Sequence, residues 1–226
     1  MILSGGFGKR LKPITDYMPK PLIPIDNTIL IEWQIRYFKK FGVREFVICA
    51  GYRSEQIVDY LEAKDLDANI IYSIEKTPLG TGGAIKRAAK YVDEDSFYVI
   101  NGDVITNLDL KKMKAGQNSI AVIPLRTGFG LVHLLENKVK RFEEKPEIFN
   151  YWMNAGLYRL QKDVLKYLPK VGNIENTAFP ELAKKGLLYA TKFDKIFWHS
   201  IDSHKDIEEC TKEMKSIKYE KFLSSK

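Results

Sequence analysis

The sequence predicts an α/β fold whose central sheet is mostly parallel, with an antiparallel extension in its second half. Two observations predict it. From Met1 to Asp103, short apolar runs alternate with amphipathic stretches in a βαβαβα order. Beyond Asp103, several strand-like runs follow one another before helices return, a mixed pattern that suits antiparallel pairing.

Each element has its own signal. Met1-Ile2-Leu3 is a strand that opens directly into a glycine-rich turn. Residues 29–41 carry apolar side chains at 30, 31, 33, 35, 37, 38 and 41, which predicts a largely buried helix, and Gly42 ends it as a C-cap would. Residues 45–50 read as a strand. Residues 54–61 read as a helix with Ser54 as N-cap and Ile57, Val58 and Leu61 facing inward. A strand at 69–74, a helix at 83–92 and a buried strand at 96–100 follow, the last ending at Asn101-Gly102-Asp103. In the second half, 119–125, 130–135, 139–142 and 154–159 read as strands and 162–168 and 178–185 as helices. A last strand at 195–201 precedes a helix from Ser203 onward. No linker, repeat or low-complexity segment interrupts the pattern, so residues 1–226 are expected to form a single domain.

Composition narrows the function classes. With 45% hydrophobic and 29% charged residues, the chain has an ordinary globular make-up. No apolar run approaches the ~20 residues that a membrane span needs, and the N-terminus lacks the regions of a secretory signal. Cys49 lies in the apolar run Phe46–Ala50, and Cys210 is far from it. A buried reduced thiol at Cys49, in a cytoplasmic protein, is the expectation. The net charge of +7 and pI of about 9.1 suit polyanionic partners, phosphorylated metabolites among them. The charge is spread along the chain with no nucleic-acid-binding module, so neither nucleic acid nor membrane is expected as a partner. The lysine-rich stretch from Lys212 to Lys226 is expected to be a solvated, partly frayed helix. His133, His199 and His204 are scattered and form no His/Cys metal motif.

Two segments carry chemistry. The opening Leu3-Ser4-Gly5-Gly6-Phe7-Gly8-Lys9-Arg10-Leu11 feeds a strand into a glycine-rich turn, whose backbone N–H groups suit a phosphate. It is neither a Walker A loop nor a dinucleotide fingerprint, because Leu3, Arg10 and Leu11 stand where those patterns need other residues. A glycine loop alone is also compatible with a plain tight turn. Lys9 and Arg10 inside it favour a triphosphate, whose charge they would neutralise. Further on, Pro19 and Pro21 restrict the backbone around Lys20, so that a rigid segment presents one lysine.

These segments, together with Ser73–Ala84, Asn101-Gly102-Asp103, Glu144-Lys145-Pro146 and Asn154-Ala155-Gly156, resemble in content and order the signature of the sugar-1-phosphate nucleotidylyltransferases. Each motif is short, but their combination covers the chain to about residue 206. The resemblance implies a Rossmann-like α/β/α sandwich. It also implies a short, catalytic-domain-only chain without the C-terminal β-helix of some relatives. It places Leu3, Gly5, Gly6, Gly8, Lys9, Glu75, Gly80 and Thr81 at the nucleotide and assigns catalytic roles to Arg10, Lys20 and Asp103. It places Gly130, Glu144, Lys145 and Asn154 at the sugar phosphate. The implied reaction couples a nucleoside triphosphate to a sugar 1-phosphate with Mg²⁺ as cofactor and releases pyrophosphate. A homo-oligomer is left open.

Three departures matter. Lys9 stands where the family usually has Thr, and relatives carry a few residues before the first strand. Near the end, Ser200 occupies the place of the family's second metal-binding Asp, while Asp202 lies two residues on. Asp202 therefore has two readings: a second Mg²⁺ ligand beside Asp103, brought back by a turn after Ile201, or a cap of the helix that follows. Glu75, at the family's base-edge position, offers only acceptors. Guanine presents two adjacent donors to it, so GTP is the expected triphosphate, with mannose- or heptose-type sugars. The alternatives are a UTP- or dTTP-using transferase, a catalytically weak nucleotide-sugar sensor or regulatory subunit, and a transferase acting on another alcohol phosphate.

Overall fold

Apolar strands joined through helices must bury both of their faces, and this chain does so with helices on either side of one sheet. The computed structural model describes residues 1–224, with residues 149 and 150 described for their backbone alone. In chain order the elements are β1 (Ile2–Ser4), β2 (Pro24–Ile25), β3 (Thr28–Ile29), α1 (Leu30–Lys40), β4 (Glu45–Ala50), α2 (Ser54–Glu62), β5 (Asn69–Ile74), α3 (Gly80–Ala88), β6 (Ser96–Asn101) and β7 (Val104–Thr106). There follow β8 (Asn118–Arg126), β9 (Leu131–Leu135), β10 (Lys138–Glu143), β11 (Glu147–Gln161), α4 (Ala178–Lys184), β12 (Leu188–Lys192), β13 (Trp198–Ser200), α5 (His204–Ile217) and α6 (Tyr219–Ser224).

The main sheet has the order β12-β8-β11-β6-β1-β4-β5. β1 pairs in parallel with β4 and β6, β4 with β5, and β8 with β12. β11 runs antiparallel to both of its neighbours, so the antiparallel part of the sheet is this one strand. The chain builds β1, β4 and β5 outward in one direction, then returns to place β6 on the other side of β1. That reversal opens a crevice at the C-terminal ends of β1 and β6, where open α/β sheets bind ligands.

Two cores sandwich the sheet. On one face, Ile31 and Ile35 of α1 and Ile57 and Leu61 of α2 pack on Ile2, Ile48, Ile100 and Leu157. On the other, Ile85 of α3 and Phe179 and Leu182 of α4 pack on Val99, Tyr158 and Leu160. A third cluster joins Trp33 of α1 to Cys210 and Met214 of α5 and to Tyr219.

Several expectations are corrected. Ser54 is not an N-cap: Arg53, in the left-handed region at φ 50°, precedes α2, and no side chain caps it. The third helix starts at Gly80, earlier than expected, because Gly172 and Asn173 from a distant loop satisfy its first amides. The segment at 162–168 forms only a short 3₁₀ turn, Lys162–Lys166. β11 begins at Glu147 rather than 154, and β12, absent from the sequence reading, closes one edge of the sheet beside β8. The last strand is short and pairs with β7 in a separate ribbon.

The lysine-rich C-terminal stretch is likewise not a frayed tail through residue 224; residues 225–226 lie outside the described residues. α5 ends at Lys218 in the left-handed region, and α6 turns Tyr219 into the core, where it is 2% exposed. The Tyr219 hydroxyl donates to the Thr106 carbonyl at 2.7 Å, and its ring meets that of Trp33 edge-on. Buried aromatic side chains override the lysines around them because the lysines can point their charges outward. Tyr219→Ala is expected to lower unfolding stability by about 3–5 kcal/mol, measured by urea denaturation, whereas a solvated tail would change it by less than about 0.5 kcal/mol.

Candidate active site

The crevice at the ends of β1 and β6 is a cleft of about 430 Å³, within the usual size range of small-molecule sites. Its wall is the glycine loop that leaves β1. Gly8 sits at φ +61°, and a Cβ there would stand 2.8 Å from the Thr15 methyl group, so only glycine fits. The buried Thr15 hydroxyl donates to the Gly8 carbonyl at 3.0 Å, and Leu11 N–H donates to the same carbonyl at 2.9 Å. Leu3, Gly5, Gly6, Gly8, Lys9 and Arg10 all line the cleft. Lys9 is exposed, with its ammonium 5.9 Å from the centroid of the Phe7 ring.

The floor is the turn Asn101-Gly102-Asp103 between β6 and β7. A Cβ on Gly102 would lie 2.2 Å from the Leu3 carbonyl, so this close approach requires glycine, and Gly102 N–H donates to that carbonyl at 2.9 Å. From α1, the buried Gln34 amide donates to the carbonyls of Asn101 and Val104 at 2.8 and 2.9 Å, clamping the turn on both sides. The Asp103 carbonyl accepts from Ile201 N–H at 2.8 Å. Three separate segments thus aim the Asp103 carboxylate into the cleft.

Lys20 meets it there. The residue opens a 3₁₀ turn at Lys20–Leu22 with Pro19 extended before it, and its side chain is 13% exposed. Its ammonium donates to Asp103 Oδ2 at 2.9 Å and to Asp202 Oδ1 at 2.8 Å. Arg10 donates to the same Asp202 oxygen at 2.8 Å, with its side chain 76% exposed.

The structure removes one of the two readings of Asp202, that of a helix cap. The cap of α5 is Ser203, whose hydroxyl accepts from Asp206 N–H while the Asp206 carboxylate receives Ser203 N–H. β13 ends at Ser200, and the turn after Ile201 returns Asp202 to the Asp103 side, with the Ser200 hydroxyl donating to Asp202 Oδ2 at 3.2 Å. Burial alone would raise the Asp202 carboxyl; the Lys20 and Arg10 charges and the Ser200 hydroxyl outweigh it and hold the carboxyl below its usual value. Two carboxylates on one ammonium match the donor set of Mg²⁺, which takes one or two carboxylates and completes its shell with phosphates and water. Among the described residues no group of three His, Cys, Asp or Glu gathers to hold a metal unaided.

Glu75 follows β5 and also lines the cleft. Its Oε2 accepts from Leu79 N–H at 3.2 Å, and its Oε1 packs against Gly5 and Gly51, where an added Cβ would come within 2.3 and 2.9 Å. Burial raises its carboxyl, and the Leu79 amide and Arg87 only partly offset this. Gly80 and Thr81 line the cleft at the start of α3. The N–H of Thr81 is taken by Asn173 Oδ1 at 3.2 Å, so this helix end does not present its amides freely.

The expected sugar-phosphate residues lie elsewhere. Glu144 and Lys145 are exposed beside the β9–β10 hairpin, and a Cβ on Gly130 would strike the Phe142 ring at 2.4 Å and approach Glu144 at 3.2 Å. Asn154 lies on β11. None of these four is among the residues lining the cleft. Sequence reasoning passed over Asn173 and Glu175, which reach the start of α3 from a distant loop. The turn signal Gly172-Asn173 was the only local hint of them.

A family model described as nucleotidyl transferase matches residues 1–216. The chain is 39% identical over 169 residues to a D-glycero-alpha-D-manno-heptose 1-phosphate guanylyltransferase of Campylobacter jejuni, covering 73% of this chain and 76% of that protein. It is 36% identical to mannose-1-phosphate guanyltransferase 2 of Candida glabrata, covering 91% of this chain but 62% of that longer protein. The crystal structure of HddC from Yersinia pseudotuberculosis complexed with GMP-PN superposes with a TM-score of 0.74 at 27% identity, covering 94% of this chain and 97% of that one.

The depressed Asp202 carboxyl sets a pH dependence. The unfolded residue protonates near pH 4 and the folded one lower, so its stabilising contribution is full above that range and is lost as pH falls through the folded value. The stability gap between the wild type and Asp202→Asn, measured by thermal unfolding without nucleotide, is expected to be open at pH 7 and to narrow at pH 3. A gap of constant size would show that the Lys20 and Arg10 pairs add nothing to folding.

Proposed function

Because the chain belongs to the nucleotidyl transferase family, we propose that it joins a nucleoside triphosphate, GTP by preference, to a sugar 1-phosphate of the mannose or heptose type, and releases pyrophosphate. The observation that carries this reading is the cleft at the sheet's switch point. There a glycine loop with Arg10 faces a lysine held between two carboxylates. Two relatives, 39% and 36% identical to this chain, are guanylyltransferases for these two sugar phosphates, and the structure complexed with GMP-PN has the same fold.

The reaction needs no general base. A phosphate oxygen of the sugar 1-phosphate, already anionic, attacks the α-phosphorus in line. One P–O bond forms as the bond from the α-phosphorus to the bridging oxygen breaks, and that oxygen leaves with pyrophosphate. The protein's task is positioning and charge neutralisation. The glycine loop receives the triphosphate, and Arg10, exposed and paired with Asp202, supplies positive charge to it. Lys20 sits where negative charge builds at the reacting phosphorus. Asp103 and Asp202 would hold Mg²⁺, which when bound supplies Lewis-acid charge to the phosphate oxygens. Lys145 meets the acceptor phosphate, and Glu144, Asn154 and the Gly130 backbone meet the sugar. These four stand outside the cleft walls, so the acceptor subsite we propose draws on the segment after β10 and on β11 rather than on the walls of the nucleotide cleft. The buried thiols of Cys49 and Cys210 suit the cytoplasm, where they stay reduced.

Base choice falls to Glu75, whose acceptor-only carboxylate matches guanine's N1–H and N2 amino donors. GTP is expected to be turned over faster than UTP, dTTP, CTP or ATP at equal concentration in a pyrophosphate-release assay, and Glu75→Gln to erode that preference toward UTP and dTTP. A wild type that prefers UTP would overturn the assignment.

Charge loss is expected to separate the two halves of the site. Lys20→Ala or Arg10→Ala should lower kcat by roughly 10²-fold, while Lys145→Ala should act chiefly through the KM of the sugar phosphate. Steady-state kinetics with each substrate varied in turn distinguishes these outcomes.

A further inference from the structure

A hydrogen-bonded chain runs from the nucleotide side of the cleft to the acceptor side, and the direction of every bond in it can be assigned. At one end, Thr81 lines the cleft at the start of α3. Its hydroxyl oxygen accepts from Ile174 N–H at 3.0 Å, so the hydroxyl hydrogen goes to Glu175 Oε2 at 2.6 Å. At the other end, Asn154 Oδ1 accepts from Gly156 N–H at 2.9 Å, which fixes how the amide is turned. Asn154 Nδ2 is then the donor to the Tyr158 hydroxyl at 2.9 Å, and that hydroxyl, having accepted there, donates to Glu175 Oε1 at 3.2 Å. Both lines of donors end on the two oxygens of one carboxylate.

The physical setting makes this carboxylate an odd choice for scaffolding alone. Tyr158 is fully buried and packs edge-on against Phe179 at 4.9 Å, so its hydroxyl has no water to turn to. Glu175 is half-buried and has no cation partner among the described residues. Partial burial of a charge satisfied by hydroxyls alone carries a desolvation penalty, and a neutral amide in its place would avoid it. An amide, however, has one acceptor oxygen and one donor nitrogen. It could receive one of the two hydroxyls, but it would donate to the other and leave that hydroxyl's own hydrogen without an acceptor. Only a carboxylate accepts from both and so keeps the Asn154 amide and the Thr81 hydroxyl locked in one arrangement.

Taking Asn154 as a sugar ligand, as in the function proposed above, we propose that Glu175 and Tyr158 are positioning residues that hold the Asn154 amide at the acceptor subsite and tie its orientation to Thr81 at the nucleotide subsite. Neither residue need touch the reacting atoms. Tyr158 serves the acceptor side, and Glu175 serves both sides.

The test is two-substrate kinetics on the full chain, with melting temperatures recorded in parallel. Tyr158→Phe removes one hydroxyl and keeps the ring in the core. It is expected to raise the KM of the sugar 1-phosphate about five- to tenfold, the equivalent of one lost hydrogen bond, with kcat and the KM of GTP within about twofold of wild type. Glu175→Gln, at a half-buried site where folding is not at risk, is expected to raise the KM of both substrates. Because Tyr158 acts through Asn154, adding Tyr158→Phe to Asn154→Ala should raise the sugar-phosphate KM no further than Asn154→Ala alone. A merely structural role would lower the melting temperature and leave both KM values in place, and that result overturns the proposal. So does an effect of Tyr158→Phe that multiplies in full with that of Asn154→Ala. Pyrophosphate release by the wild type checks the function itself, so an active wild type paired with an unaltered Glu175→Gln variant refutes the relay alone.

Discussion

The ammonium of Lys20, shared between the carboxylates of Asp103 and Asp202, is the contact on which the site depends. It ties together three segments far apart in the chain: the proline-flanked turn that carries Lys20, the turn after β6 and the turn after β13. Remove the lysine and two partly buried carboxylates face each other with only the Arg10 guanidinium on Asp202 to offset them, an unfavourable arrangement. On the function proposed above, a triphosphate with its divalent cation would take over both partners of this cluster, the carboxylates holding the cation and the ammonium facing the phosphates.

The surroundings explain how so charged a cluster is held in register. Gly102 lets the turn approach the Leu3 carbonyl, Gln34 clamps it from α1 and Ile201 N–H closes it from below. Each clamp comes from a different part of the chain, so the position of Asp103 depends on the packing of β1, α1 and the turn after β13 together. The C-terminal helices contribute from further away. Tyr219 bonds to the Thr106 carbonyl on β7, the strand that pairs with β13, and through that ribbon α6 supports the turn bearing Asp202.

The sequence departure at Ser200 is of a piece with this arrangement. A serine in place of a carboxylate removes charge, but the chain turns after Ile201 and supplies Asp202 to the same ammonium, with the Ser200 hydroxyl donating to it. The helix that follows needs no help from Asp202, since Ser203 and Asp206 cap it reciprocally. The residues proposed for the acceptor side are placed differently. They lie beside the β9–β10 hairpin and on β11, and Asn154 is linked to Glu175, which also receives Thr81 at the cleft, through the buried Tyr158 hydroxyl.

What the sequence determined by itself was local. Alternating apolar runs were enough for a parallel α/β core, because periodicity records which face each segment buries. Glycine 8 and the prolines around Lys20 announced a shaped loop and a rigid lysine, because backbone restrictions belong to single residues. Tertiary structure decided what lies close across long separations: that Asp202 meets Lys20 over 182 positions, that Tyr219 leaves a lysine-rich stretch for the core, that β12 closes the sheet edge, and that Glu175 receives both Thr81 and Tyr158. These depend on register and packing between elements. A carboxylate two residues out of its usual place reads in the sequence as either a ligand or a cap, and only the direction of the chain after Ile201 determines which charge it meets.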